Sequence, residues 1–263
     1  KGLSLEEVLE TIKQMPTGDE IIASFPFEQA YEEYRAKFVE MQRICRDMTW
    51  VPADWVAGAE LMRFYAEFGY EPFFLVIGGY PEHARKMIEV GGANGYNRCR
   101  LIARAVSEGL QPHAVLLGND ICASRGCMLS PRFMEEVYAP QLCRSLELLL
   151  AAGCQPIWHC DGDVREILDI LIAAGVQGFQ GFQSELGVTL EHVIQKRTRE
   201  GQGLVIYGPL AVTSEMILWS PAQVRARIRE AIQICRDNAH LVVLTSSTMC
   251  PDVPLENIRA MYE

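Results

Sequence analysis

The stretch QPHAVLLGND, residues 111–120, decides how this chain is read. A short apolar run, His113 to Leu117, stops abruptly in Gly118, and the polar pair Asn119-Asp120 follows at once. The same phrase recurs downstream, with apolar runs at Pro156 to His159, Gly178 to Gln180, Leu204 to Tyr207 and Leu241 to Thr245. Each run is too short for a helix, and amphipathic segments separate them, which is the pattern of βα units and a parallel sheet. An earlier strand is expected at Thr49 to Ala53.

The intervening helices carry their own punctuation. Ser130-Pro131 and Ser220-Pro221 each place a capping hydroxyl before a proline suited to the first turn, and Asp163 is expected to cap VREILDILIAAG. Two helices end in Ala-Ala-Gly, at Gly153 and Gly175, where glycine accepts the left-handed conformation that closes a helix. Val224, Ile228 and Ile232 share one helical face and predict an apolar stripe. The glycine-rich patch GGANGYNR, from Gly91, is expected to be a turn joining helices.

Six parallel strands suit either an open doubly wound sheet or part of a (β/α)₈ TIM-type barrel. The barrel is preferred because Asn119-Asp120, His159 to Asp163, Tyr207 and Ser246-Ser247 all follow strand ends and would crowd one rim. No glycine-rich nucleotide loop follows a first strand, as an open dinucleotide-binding sheet would require. Residues 1–263 are read as one domain.

Composition narrows the function. Apolar residues make up 49% of the chain, enough for a sizeable core, and no apolar stretch approaches the ~20 residues of a membrane span. The net charge is −10 and the basic residues are scattered, which argues against a nucleic-acid partner. Nine cysteines at irregular spacing, an odd count without a CxxC pair, fit a reducing cytoplasm better than a disulfide framework. The aromatic group Trp50, Trp55, Phe64, Tyr65, Phe68, Tyr70, Phe73 and Phe74 could line an apolar ligand cavity, but core or interface is the preferred reading, because Phe64 and Phe68 are spaced for one helix face.

Three stretches, GNDICASRGCMLSPRFMEEVYAPQL from Gly118, IWHCDGDVREILDILIAAGVQGFQ from Ile157 and TSSTMCPDVPLENIRAM from Thr245, resemble the uroporphyrinogen decarboxylase superfamily. The most specific pieces are the Ser130 to Pro140 helix, the H-x-x-G motif at His159 to Gly162 and the PDVPLENI terminus. The superfamily includes the decarboxylase and the cobalamin-dependent methyltransferases. By this resemblance the chain starts at the third barrel strand, with two strands lying upstream of Lys1 or supplied from elsewhere. The decarboxylase's substrate-gripping arginines and its pyrrole-binding aspartate belong to those two strands. In the methyltransferase branch a zinc ion is held by a His-x-Cys pair and a later cysteine. Here the pair position is Asp161, and the nearest late cysteine is Cys250.

The candidate site follows. His159, Asp161, Asn119 and Asp120 are expected to be catalytic, because an imidazole titrating near neutrality beside carboxylates can move protons or hold a cation. Glu185, Tyr207, Ser247 and Trp55 are candidates for binding substrate. A metal, zinc or another divalent ion, is expected on His159 and Asp161 with Cys250 as third ligand. The resemblance implies methyl transfer between a small methylated compound and a corrinoid carried by a partner protein. The alternatives are decarboxylation of a tetrapyrrole in porphyrin biosynthesis, or a non-catalytic binding subunit completed by another chain. Whether the chain forms a homodimer is left open by the sequence.

Overall fold

A computed structural model describes residues 3–181 and 183–263. In chain order its first elements are α1 (Leu5–Gln14), α2 (Gly18–Ser24), α3 (Phe27–Cys45), α4 (Leu61–Phe68), α5 (Tyr70–Gly79), α6 (Pro81–Ser107), β1 (Ala114–Gly118), β2 (Cys122–Ala123), β3 (Gly126–Cys127), α7 (Pro131–Phe133) and α8 (Ala139–Ala151). There follow β4 (Gln155–His159), α9 (Leu168–Ala173), β5 (Gly178–Gln180), α10 (Leu190–Val193), β6 (Val205–Leu210), α11 (Glu215–Leu218), α12 (Pro221–Cys235), β7 (His240–Thr245) and α13 (Leu255–Tyr262). Parallel strands alternate with helices, the order expected of part of a (β/α)₈-type barrel. The chain divides into two compact units, one of residues 1–119 with 132–156 and one of residues 120–131 with 157–263.

The first unit is mostly helical. Ser4 and Thr17 start α1 and α2 through capping boxes with Glu7 and Glu20, each side chain satisfying the other residue's backbone N–H. Of the aromatic group, Phe64, Phe68 and Phe73 are buried, and the Phe64 and Phe68 rings lie 5.8 Å apart, so these three are core. The strand expected at Thr49 to Ala53 contracts to a single parallel bridge between Ala53 and Leu116. Leu116 N–H donates to the Pro52 carbonyl at 3.0 Å and Asp54 N–H donates to Leu116 at 2.7 Å. Pro52 has no N–H to extend that ladder.

The glycine-rich patch is not a turn, which corrects the expectation. Gly91, Gly92 and Gly95 lie inside the 27-residue helix α6. A Cβ on Gly91 would sit 2.6 Å from the Ala59 carbonyl, and one on Gly92 would sit 2.7 Å from Cβ of Gln141 in α8. Glycine is used here for close approach and not for a bend, so spacing alone could not separate the two.

In the second unit the parallel register is explicit. His159 pairs with Gln180, Gln180 with Tyr207, and Tyr207 with Val242. Behind the sheet, α12 opens on a capping box of Ser220 with Gln223 and has Pro221 in its first turn. Val224 and Ile228 of the expected stripe are buried, whereas Ile232 is 46% exposed, so the stripe ends a turn early. Asp163 does not cap a regular helix. It is spent on Arg165, accepting from its backbone N–H at 3.2 Å and its Nη2 at 2.6 Å, and α9 begins only at Leu168. Gly153 and Gly175 do take positive φ, 72° and 111°.

Replacing Gly91 by Ala should gain about 0.5–1 kcal/mol from helix propensity. The added methyl meets a backbone carbonyl that cannot move aside, and overpacking of this kind costs about 1–3 kcal/mol. Denaturant unfolding is therefore expected to show net destabilisation for Gly91→Ala. Gly78→Ala, in α5 with nothing within 4 Å of the new Cβ, should be neutral or stabilising.

Candidate metal and active site

The second unit brings three of the expected residues together. Asp120, His159 and Asp161 each offer one ligand atom, and these atoms lie within 4.8 Å of one another. His159 Nε2 is 3.6 Å from Asp120 Oδ1 and 3.9 Å from Asp161 Oδ2. The cause is local. His159 is the last residue of β4, so Asp161 follows on the loop leaving the strand, and its backbone N–H donates to Asp120 Oδ1 at 3.1 Å. Gly162 holds that loop in place: its φ is +95°, its N–H donates to Gln183 Oε1 at 2.6 Å, and a Cβ there would lie 2.7 Å from the Cys122 carbonyl. Only glycine suits both the conformation and the gap.

His159 is mostly enclosed, with 12% of its side chain exposed, while Asp120 and Asp161 open to solvent at 58% and 39%. Burial raises the Asp161 carboxyl above the ordinary aspartate range, and the nearby Asp120 and Glu185 charges push it the same way. His159 and a hydrogen bond from Ser247 act in the opposite direction. Asp161 Oδ1 is buried without a hydrogen-bond partner among the described residues. A carboxylate oxygen left so is poised for a proton or a cation.

The donor set is one imidazole nitrogen with carboxylate oxygens. It is harder than a thiolate site and suits a divalent ion such as zinc or manganese. Cys250 does not belong to it among the described residues. Its side chain packs against the apolar cluster of Leu210, Val212, Met216 and Val253, and Asp120 takes the third position instead.

The remaining candidates divide. Ser247 reaches Asp161, and its carbonyl accepts from Thr245 Oγ1 at 2.7 Å. Glu185 contributes its charge to Asp161 while accepting from Thr213 Oγ1 at 2.8 Å. Tyr207 is buried on β6 in the same row as His159 and Gln180. Asn119 and Trp55 belong to the first unit. There Asn119 donates to the Gly58 carbonyl at 2.7 Å and to the Tyr138 hydroxyl at 2.9 Å, and it accepts from Met62 N–H. Its side chain thus holds the first unit's fold. Trp55 is 48% exposed beside the short 3₁₀ turn Val56–Gly58.

Sequence reasoning missed Glu215. It is buried at 6% exposure and accepts from Ser184 Oγ at 2.8 Å and from Ala211 N–H at 2.9 Å, so it ties together loops that flank the site. No motif marks it.

A sequence model of the family described as Uroporphyrinogen decarboxylase (URO-D) matches residues 103–263, well over half of the chain. The chain belongs to the uroporphyrinogen decarboxylase family. Both segments that build the triad fall inside the matched region. Among solved structures the fold is similar to a methyltransferase from Methanosarcina mazei, with a TM-score of 0.64 and 12% sequence identity. That match covers 86% of this chain and 60% of the other, so this chain spans about three fifths of that methyltransferase. No curated protein matches the sequence. Among the described residues of this family member, no helix is long and apolar enough to cross a membrane.

The raised Asp161 carboxyl has a consequence for stability. The folded protein holds this proton to higher pH than the unfolded chain does, so its contribution to stability is fully present below the ordinary aspartate value of about 3.9 and is lost as pH rises from there through the raised folded value. Asparagine cannot ionise. In metal-free protein, Asp161→Asn is therefore expected to be more stable than wild type near neutral pH, with the advantage closing as pH drops below the ordinary aspartate range. Thermal unfolding across pH measures it, and a variant equally destabilised at every pH would contradict the cause given.

Proposed function

We propose that this family member is a methyl-transfer enzyme, moving a methyl group between a small methylated compound and a corrinoid carried by a partner protein. The reading rests on the Asp120, His159 and Asp161 triad, read in the light of the methyltransferase fold similarity. When bound, a divalent ion would draw electron density from the heteroatom that carries the methyl group, and the corrinoid would supply the attacking nucleophile.

The chain's own residues then have separate tasks. Asp120, His159 and Asp161 would hold the ion. Ser247 fixes Asp161 through its hydrogen bond, and Gly162 keeps the loop close enough for both. In this reading Glu185 and Tyr207 would meet the polar part of the donor, and the enclosed face of His159 would limit the access of water.

A second reading is favoured by the family match itself: decarboxylation of a porphyrinogen, which needs neither ion nor corrinoid.

Incubation with reduced cobalamin and a panel of methylated amines, alcohols, thiols and aryl ethers, followed by the absorbance change of the corrinoid, tests the first reading. Methyl transfer that depends on a divalent ion is expected. His159→Ala should lose at least about 10²-fold in rate, on the scale of removing one group that stabilises developing charge. Release of carbon dioxide from a porphyrinogen, unaffected by chelator, would favour the second reading instead.

A further inference from the structure

We propose that Cys122 and Cys127 form a redox-active dithiol, which exchanges with low-molecular-weight disulfides and closes into a cross-strand disulfide on the wall of the Asp120, His159 and Asp161 site.

The geometry comes from the β2–β3 hairpin. Cys122 lies directly opposite Cys127 and Ala123 opposite Gly126, with Ser124-Arg125 as the two-residue turn. Met128 N–H donates to the Ile121 carbonyl at 2.8 Å, which makes that pair hydrogen-bonded and leaves Cys122 and Cys127 as the non-hydrogen-bonded pair next to it. Pairs of that kind bring their Cα atoms to about 4.5 Å, the closest in an antiparallel ladder. This lies inside the ~4.4–6.8 Å span that a disulfide needs. The Cys127 thiol donates to the Ile121 carbonyl at 3.4 Å, and Cys122 lies beside the thiols of both Cys127 and Cys160. All three are free thiols, with Cys122 and Cys127 half-buried and Cys160 fully buried.

The hairpin also supports the site. The Ala123 carbonyl accepts from Asp163 N–H at 3.0 Å, the Cys122 carbonyl closes over Gly162, and Asp120 is two residues before Cys122. Rotating the two side chains into a disulfide therefore acts on the backbone that carries Asp120 and buttresses the loop of Asp161.

The exchange balances. The thiolate of Cys127, half-buried at the hairpin, makes the first attack. Its sulfur displaces one thiolate from a small disulfide such as glutathione disulfide and forms a mixed disulfide. Cys122 then loses its proton to solvent and attacks the Cys127 sulfur, forming the Cys122–Cys127 bond and expelling the second small thiolate. Two protein thiols are oxidised by two electrons, and one small disulfide becomes two thiols. Cys160 is too enclosed for the first attack, and its thiol donates to the Asp161 carbonyl at 3.2 Å.

Tryptic mapping without reductant tests the proposal directly, because Arg125 separates the two cysteines. Cleavage gives Ala105–Arg125, with Cys122 as its one cysteine, and Gly126–Arg132, with Cys127 as its one cysteine. After equilibration of the folded protein with excess glutathione disulfide, these two peptides are expected as one cross-linked species. It should vanish in Cys122→Ser and persist in Cys160→Ala. Both thiols staying free, mixed disulfides without the cross-link, or Cys122 joined to Cys160 would each overturn the proposal. The readout is sulfur connectivity alone, so it is independent of metal binding and of methyl transfer.

Discussion

Everything in the candidate site depends on the parallel register that sets His159, Gln180 and Tyr207 side by side. A one-residue slip would turn every side chain of a strand to the other face and remove His159 from Asp161. The register is locked by contacts that tolerate no extra atom. Gly178 packs against Val205, where a Cβ would come within 2.2 Å of its carbonyl, and Gly181 against the Cys160 carbonyl at 2.1 Å. Cys160 N–H reaches the Gln180 carbonyl, and Gln180 in turn donates to Thr245 at the end of β7. The loops leaving β4 and β7 are tied at their roots, so Asp161 and Ser247 can meet.

Given that frame, the site's electrostatics follow from crowding. Two aspartates share one histidine, in a chain whose net charge is already −10, and a third carboxylate, Glu185, adds to the field. Without a counterion such an arrangement is costly, because burial and like charges both disfavour ionised Asp161. A divalent cation reverses the sign of the problem: the same carboxylates that repel one another become its ligands. The cost in the free protein would then be the counterpart of the proposed affinity for an ion.

Much of this was legible in the sequence, and the failures have physical causes. The alternation of short apolar runs with amphipathic helices located β1, β4, β5, β6 and β7 to within a few residues, because period and punctuation report local structure. The Thr49 to Ala53 strand and the Gly91 patch were misjudged for a different reason. There the outcome was set by tertiary contacts, a proline in the ladder and a carbonyl against a helix, which spacing does not record. At the site, His159 was visible as a polar residue closing a strand, and Asp161 and Asp120 as polar residues just past strand ends. The choice of Cys250 as a ligand came from family resemblance, and the structure packs that side chain among apolar residues instead. The pairing of Cys122 with Cys127 needed the hairpin register, since six-residue numbering alone fits many conformations.

The central claim is that nitrogen and oxygen donors from Asp120, His159 and Asp161 bind a divalent ion without sulfur. X-ray absorption at the zinc edge of protein loaded with one equivalent of zinc reads that donor set directly. A first shell of light atoms at about 2.0–2.2 Å with no sulfur contribution is predicted. A sulfur shell at about 2.3 Å would place a cysteine on the ion and contradict the assignment.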